Sequence, residues 1–248
     1  MNGELNMKFQ VSLFGDFSLL TPTEDNIKKC IEAFFSKGLL PGNFQEFDAR
    51  SNKMEPRLSL QSMRNGITIN VASNRVDFLA NPLPGTPAAS LTLRSFFDEV
   101  VVISKLLGET FGLTFKRIGV VSEKFFKEMS VQQIEEARKK FVNDSFNVLQ
   151  EQNVTEWNVR NIILKTFPEP VDQDVNVIYN LGKVKVQIAD ANGHNEYDTL
   201  LLSVDINTAA EKKLSSLSNE SISYFVDESL NIEKTLNERL SGVIYGAD

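Results

Sequence analysis

The tightest constraint in this sequence is the stretch Arg57 to Ala80, where two short turn signals separate runs of alternating apolar residues. Asn65-Gly66 follows Arg-Leu-Ser-Leu-Gln-Ser-Met-Arg and precedes Ile-Thr-Ile-Asn-Val-Ala. Asn-Gly between strand-like runs is the strongest short hairpin signal, because a type I′ turn needs φ > 0 at both central residues. With Ser73-Asn74 as a second two-residue turn, counting sets Val71 against Val76, Ile69 against Phe78 and Ile67 against Ala80. Those residues share one face, while Thr68, Asn70, Asp77 and Leu79 share the other. Each apolar pair contributes ~0.2–1 kcal/mol beyond Ala–Ala, and a slip of one residue would turn the whole set to water. The segment therefore reads as a three-stranded antiparallel meander with one core face.

Around this meander, 248 residues suffice for one large or two small domains. Apolar runs are short and broken by charge, so nothing in the sequence spans a membrane. The first residues, Met-Asn-Gly-Glu-Leu-Asn-Met-Lys, lack the basic and apolar regions of a signal peptide. A single cysteine, Cys30, precludes an internal disulfide and fits a reducing, cytoplasmic setting. Charge is uneven: residues 1–122 carry a net +1 and residues 123–248 a net −8, together the overall −7. An acidic second half argues against a nucleic-acid partner, since phosphate binding needs a cationic face.

Met7 to Leu13 alternates strictly and predicts a strand. Thr21-Pro22-Thr23-Glu24 predicts a helix start with Thr21 as cap, and Gly38 its end. Cys30 lies in the apolar stripe of that helix, which points to a buried thiol. A second helix is expected from Ser90 to a stop at Gly108, followed by a strand from Leu113 to Val120. Apolar parity changes between Phe115 and Ile118, which predicts a bulge near Lys116-Arg117. Ser130-Val-Gln-Gln133 is a capping box opening a third helix. Polar Glu151 to Glu156 reads as a joint. Beyond it, Val159 to Leu164 predicts a strand, and Val175 to Ile188 a hairpin turning at Leu181-Gly182. A three-residue loop, Asn192-Gly193-His194, would lead to a strand with Leu200, Leu202, Val204 and Ile206 inward. The last helix is expected from Asn219 to Ser241, ended by Gly242. The sum is an α+β fold of two antiparallel β-sheets, each with helices packed on one face. The halves divide at residues 1–125 and 126–248.

Motifs that carry chemistry are missing. The sequence has no phosphate loop, nucleophile elbow, zinc-protease helix or paired Cys-x-x-Cys. His194, the sole histidine, sits among turn residues, and no metal or cofactor is expected. Carboxylates offer one route to metal-dependent hydrolase or nuclease chemistry: Glu46 with Asp48, Asp172 with Asp174, or Asp174 beside Lys183 and Lys185 across the expected hairpin. Half-exposed strands carry the same polar alternation without any chemistry. Arginine offers another: Arg117 at a bulge and Arg75 after a tight turn could each bind an anion or pair with Asp77 or Asp205. Arg75, Asp77, Arg117 and Asp205 are accordingly the candidate binding residues.

Several of these stretches together resemble one bacterial family. They are Asn65-Gly66, Val71 to Asn81, the helix Ser95 to Leu107, Phe115-Lys-Arg117-Ile118-Gly119-Val120, Leu200 to Ile206, and the long last helix. The family is sporadically distributed, uncharacterised and of similar length; Ser73-Asn74-Arg75 stands where it has a Pro-Asp-Arg turn. Val120-Val121-Ser122 departs from its Leu-Arg-Tyr continuation. The resemblance implies a fold and a bacterial or phage-related setting, and no reaction. The expectation is a cytoplasmic accessory protein of a toxin–antitoxin or phage-defence system that binds a protein partner, with homodimerisation open. The alternatives are a carboxylate-based hydrolase and an anion or nucleotide sensor built on Arg117.

Overall fold

The computed structural model describes residues 3–49, 51–143, 154–190, 193–209 and 216–246. Among these residues four α-helices and nine strands follow in the order β1 (Leu5–Phe14), α1 (Glu24–Phe34), β2 (Leu39–Asp48), β3 (Lys53–Ser62), β4 (Thr68–Val71), β5 (Arg75–Ala80), α2 (Leu93–Phe111), β6 (Arg117–Phe125), α3 (Val131–Phe141), β7 (Asn158–Phe167), β8 (Gln173–Asp190), β9 (Gly193–Thr208) and α4 (Asn219–Tyr245), with one 3-10 turn, Phe35–Lys37, after α1. The meander is present, with Val71 opposite Val76 and Ile69 opposite Phe78. Ser73-Asn74 forms its two-residue turn, closed by the Ala72 N–H donating to the Arg75 carbonyl at 2.9 Å. The Asn65-Gly66 connection is longer than a type I′ turn. Ser62 N–H donates to the Ile67 carbonyl, so the loop spans Met63 to Gly66, and of its residues only Gly66 has positive φ. Side chains hold it instead: Ser62 Oγ accepts from the Arg64 and Asn65 amides, and Asn65 Oδ1 from Ile67 N–H. A Cβ on Gly66 would lie 2.9 Å from the Ala88 nitrogen, so the glycine also admits the following loop.

One sheet replaces the two expected. All nine strands pair antiparallel in the order β2-β3-β4-β5-β1-β6-β9-β8-β7. The join is β6, which pairs with β1 on one edge and β9 on the other, so the ladder runs across residue 125. One cluster of buried side chains likewise spans both halves, from Leu39 and Phe78 to Val177 and Phe225.

The expected hairpin at Leu181-Gly182 is absent. β8 is a single 18-residue strand running straight through those residues, with Asn158 of β7 opposite Gly182. Its true return pairs Asp190 with Gly193 and Leu181 with Leu202. That moves the register three residues from the expected Val184–Leu202 pairing. The expected three-residue loop includes Asn192, which lies outside the described residues, as do residues 151–153 of the expected joint. The irregularity expected at Lys116-Arg117 is present: Phe14 stands opposite Arg117, yet its carbonyl accepts the Lys116 N–H at 2.7 Å, and Phe115 and Ile118 on either side are both buried. Phe115 forms an isolated bridge with Leu217, and a second register shift in the β1–β6 pairing falls between Asn6 and Lys8.

Helix caps follow local chemistry. Thr23, not Thr21, caps α1 through Asn26 N–H, while Thr92 and Ser130 form reciprocal capping boxes with Ser95 and Gln133. Gly108 and Gly242 do not stop their helices. In each case the chain continues one turn, to Gly112 and Gly246. Phe111 and Ile244 in those extra turns pack on the core, which holds the helix past its first glycine. No described helix is long and apolar enough to cross a membrane.

The helices cover one side of the sheet. Phe96 of α2 packs against Phe9 of β1, Phe225 of α4 against Phe167 of β7, and α1 and α3 adjoin α2 and α4. The sheet residues in this core, including Val11, Leu60, Ile69, Phe78, Val120, Val177, Leu202 and Val204, all belong to one parity. The opposite parity faces away from every described helix.

Candidate functional site on the open sheet face

Because strand partners share a face, the register can be read across the sheet as rows of side chains. One row crosses all nine strands on the open face: Gly42, Ser59, Asn70, Asp77, Ser12, Gly119, Asn207, Asn176 and Leu164. Eight of these nine are polar or glycine, which is what a face turned from the core demands. The four candidate residues share this face. Arg75 and Arg117 both stand opposite Phe14, one on each side, in the adjoining row. Asp205 stands two strands beyond Gln10, across Val121.

Only two of the four are brought into contact. Arg75 Nε donates to Asp77 Oδ2 at 2.7 Å, and Asp77 Oδ1 accepts from Ser12 Oγ at 2.6 Å. Gln10 Nε2 donates to Ser12 Oγ at 3.0 Å, extending a chain of bonds from β5 to β1. Arg117 is used differently. Its guanidinium lies 5.2 Å from the Phe14 ring centre, and Nη2 donates to the Thr208 carbonyl. Those contacts fasten the ends of β1, β6 and β9, while the buried Nε has no hydrogen-bond partner among the described residues. Asp205 accepts from Asn207 Nδ2 at 2.8 Å, which in turn lies beside Asn176.

The open face is concave at the β2 end. Gln10, Phe44, Glu46, Asn70, Asn74, Arg75, Asp77 and Leu79 line one depression of about 510 Å³, although β2 and β1 are separated by three strands. Glu46 anchors that curl. Its carboxylate accepts Arg57 Nε at 2.6 Å and both the N–H and Oγ of Ser73 in the β4–β5 turn. Arg57 then donates through Nη1 to the Ser18 carbonyl. Partial burial would push Glu46 upward, but the Ser73 donors and the Arg57 guanidinium outweigh it and hold the carboxyl below its usual range.

The carboxylates considered for metal chemistry are engaged singly. Glu46 is bound as above, and Asp174 accepts from Thr166 Oγ1. Lys183 and Lys185 pair with Asp198 and Glu196, and eight residues of one extended strand lie between Asp174 and Lys183. Among the described residues no three His, Cys, Asp or Glu side chains converge. Cys30 is buried in α1, and burial pushes its thiol up to about 11, so it is no nucleophile at neutral pH.

Ser12, Gln10, Phe44 and Asn207 were not among the sequence candidates. Their signal was present as the outward half of each alternating strand, but the joining of rows across β6 depends on the single sheet. No protein-family model matches the chain, and no curated protein matches it.

Proposed function

We propose that this chain is a non-enzymatic accessory protein that docks a protein partner on its open sheet face, in the bacterial setting that the resemblance implies. The observation that supports this is the nine-strand polar row on a face no described helix covers. Its groups are amides, hydroxyls and one ion pair, suited to hydrogen-bonding a polypeptide surface. Charge there is mixed, and the chain as a whole is acidic at −7, which disfavours a phosphate backbone. The concave end supplies Phe44 as an apolar contact amid polar ones.

The test is affinity capture from cells of the source organism with three baits: the wild type, N70R/N207R on the open face, and K139E on the helix side. A stoichiometric protein recovered by the wild type and K139E but lost by N70R/N207R supports the proposal. A partner retained equally by all three baits, or none recovered by the wild type, overturns it.

A further inference from the structure

The two edges of the sheet are built differently, and the difference points to a second copy of this chain. The β2 edge carries Pro41 and Gly42, which interrupt pairing by removing a donor and a side chain. The β7 edge has neither proline nor glycine. At its centre Ile162, Ile163 and Leu164 are 56%, 46% and 65% exposed, three consecutive apolar residues on both faces of an edge strand. Such an edge is a template for strand addition.

The phase of the free backbone groups follows from one bond. Lys183 N–H donates to the Trp157 carbonyl, so odd-numbered positions along β7 bond to β8 and even-numbered ones point outward. Antiparallel pairing of β7 with itself must therefore join even residues to even residues. The register centred on Ile163 does this, setting Ile162 against Leu164 twice and Ile163 against its own copy. It also sets Arg160 against Thr166 and Lys165 against Asn161, so no like charges meet. Centring on Ile162 instead would oppose Arg160 to Leu164 and Ile163 to Asn161, losing the apolar match.

We infer that β7 pairs antiparallel with β7 of a second copy about a two-fold axis at Ile163, making one continuous 18-stranded sheet. That axis is perpendicular to the sheet, so both open faces lie on the same side. The inference does not depend on the partner-docking proposal.

The experiment is sedimentation equilibrium of the full chain with an Ile163→Lys variant, and mild oxidation of an Ile163→Cys variant. The wild type is expected to dimerise at concentrations up to roughly 0.1 mM, and I163K to be monomeric with unchanged circular dichroism. Non-hydrogen-bonded antiparallel partners lie about 4.5 Å apart at Cα, within disulfide reach. I163C should therefore form a covalent dimer, while Leu19→Cys, at a position 93% exposed, should not. A monomeric wild type together with no I163C cross-link overturns the inference. So does a dimer that persists in I163K.

Discussion

Ser12 and Asp77 stand directly opposite each other on β1 and β5, and the serine hydroxyl donates to the aspartate at 2.6 Å. Both are only 7% exposed, although they lie on the face away from the helices. Asp77 is held from two sides, since Arg75 Nε occupies its other oxygen. Replacing Asp77 by Ala would strand the Ser12 donor and free the Arg75 guanidinium. Leaving a buried polar group unsatisfied costs about 1–3 kcal/mol. Urea denaturation should show D77A destabilised by that amount with an unchanged slope, and D77N by less, because its amide oxygen still accepts from Ser12. D77A as stable as wild type would show the bond contributes nothing.

Two strand glycines make a second comparison. A Cβ on Gly182 would sit 2.9 Å from the Trp157 carbonyl oxygen and 3.0 Å from Asn158 Cβ, where β7 closes on β8. A Cβ on Gly119 would meet Asn207 Cβ at 3.4 Å, an ordinary contact. Gly182→Ala is expected to cost about 1–3 kcal/mol through overpacking against backbone. Gly119→Ala should be neutral or stabilising by a few tenths, through the restricted unfolded chain. Thermal unfolding of both variants measures the contrast, and equal effects would contradict it.

Gly182 also explains where the sequence misleads. Val175, Val177 and Leu181 are buried on one parity, whereas beyond the glycine Val186 is buried on the other. A turn and a strand whose buried side changes leave the same mark in a sequence. The 73–74 turn was legible because apolar pairs on both sides of it agree on one register. The single sheet was not, because whether β6 accepts a second neighbour depends on β9, some eighty residues away. Arg75 and Asp77, two apart on one strand, were legible as a pair. Ser12, 65 residues distant, could join them only through the β1–β5 register.

Acid should loosen the curl at the β2 end. Glu46 has its folded pKa lowered: burial opposes the charge, but Ser73 and Arg57 prevail. Its contribution to stability is therefore present above the ordinary carboxyl value of 4.5 and is lost as pH falls through the lower folded value. Glu46→Gln removes this linkage. Between about pH 5 and pH 2 the variant should lose less stability than wild type. Hydrogen exchange at the Ser73 amide, which Glu46 accepts, should quicken in wild-type protein over the same acid range. Parallel pH profiles for the two proteins would refute the assignment.

Glu233 on α4 behaves in the opposite sense. Burial raises its pKa, and the Asn237 amide and Lys124 ammonium pull it back only in part, while Glu4 adds to the rise. Lys124 itself is committed to Glu4 at 2.8 Å and lies over the Phe126 ring. A raised acid stabilises the fold fully below its unfolded pKa and loses that contribution as pH rises through the folded value. Above the ordinary carboxyl range, then, ionising Glu233 is disfavoured in the folded protein relative to the unfolded chain. Glu233→Gln, which keeps an oxygen to accept from Asn237 Nδ2, should raise the melting temperature at pH 7 and leave it unchanged near pH 4. A gain of about 1 kcal/mol would appear as a few degrees in a chain of this size. An equal gain at both pH values would show that shape rather than charge is responsible, and a loss at pH 7 would show that the Lys124–Glu4 pair needs the third charge.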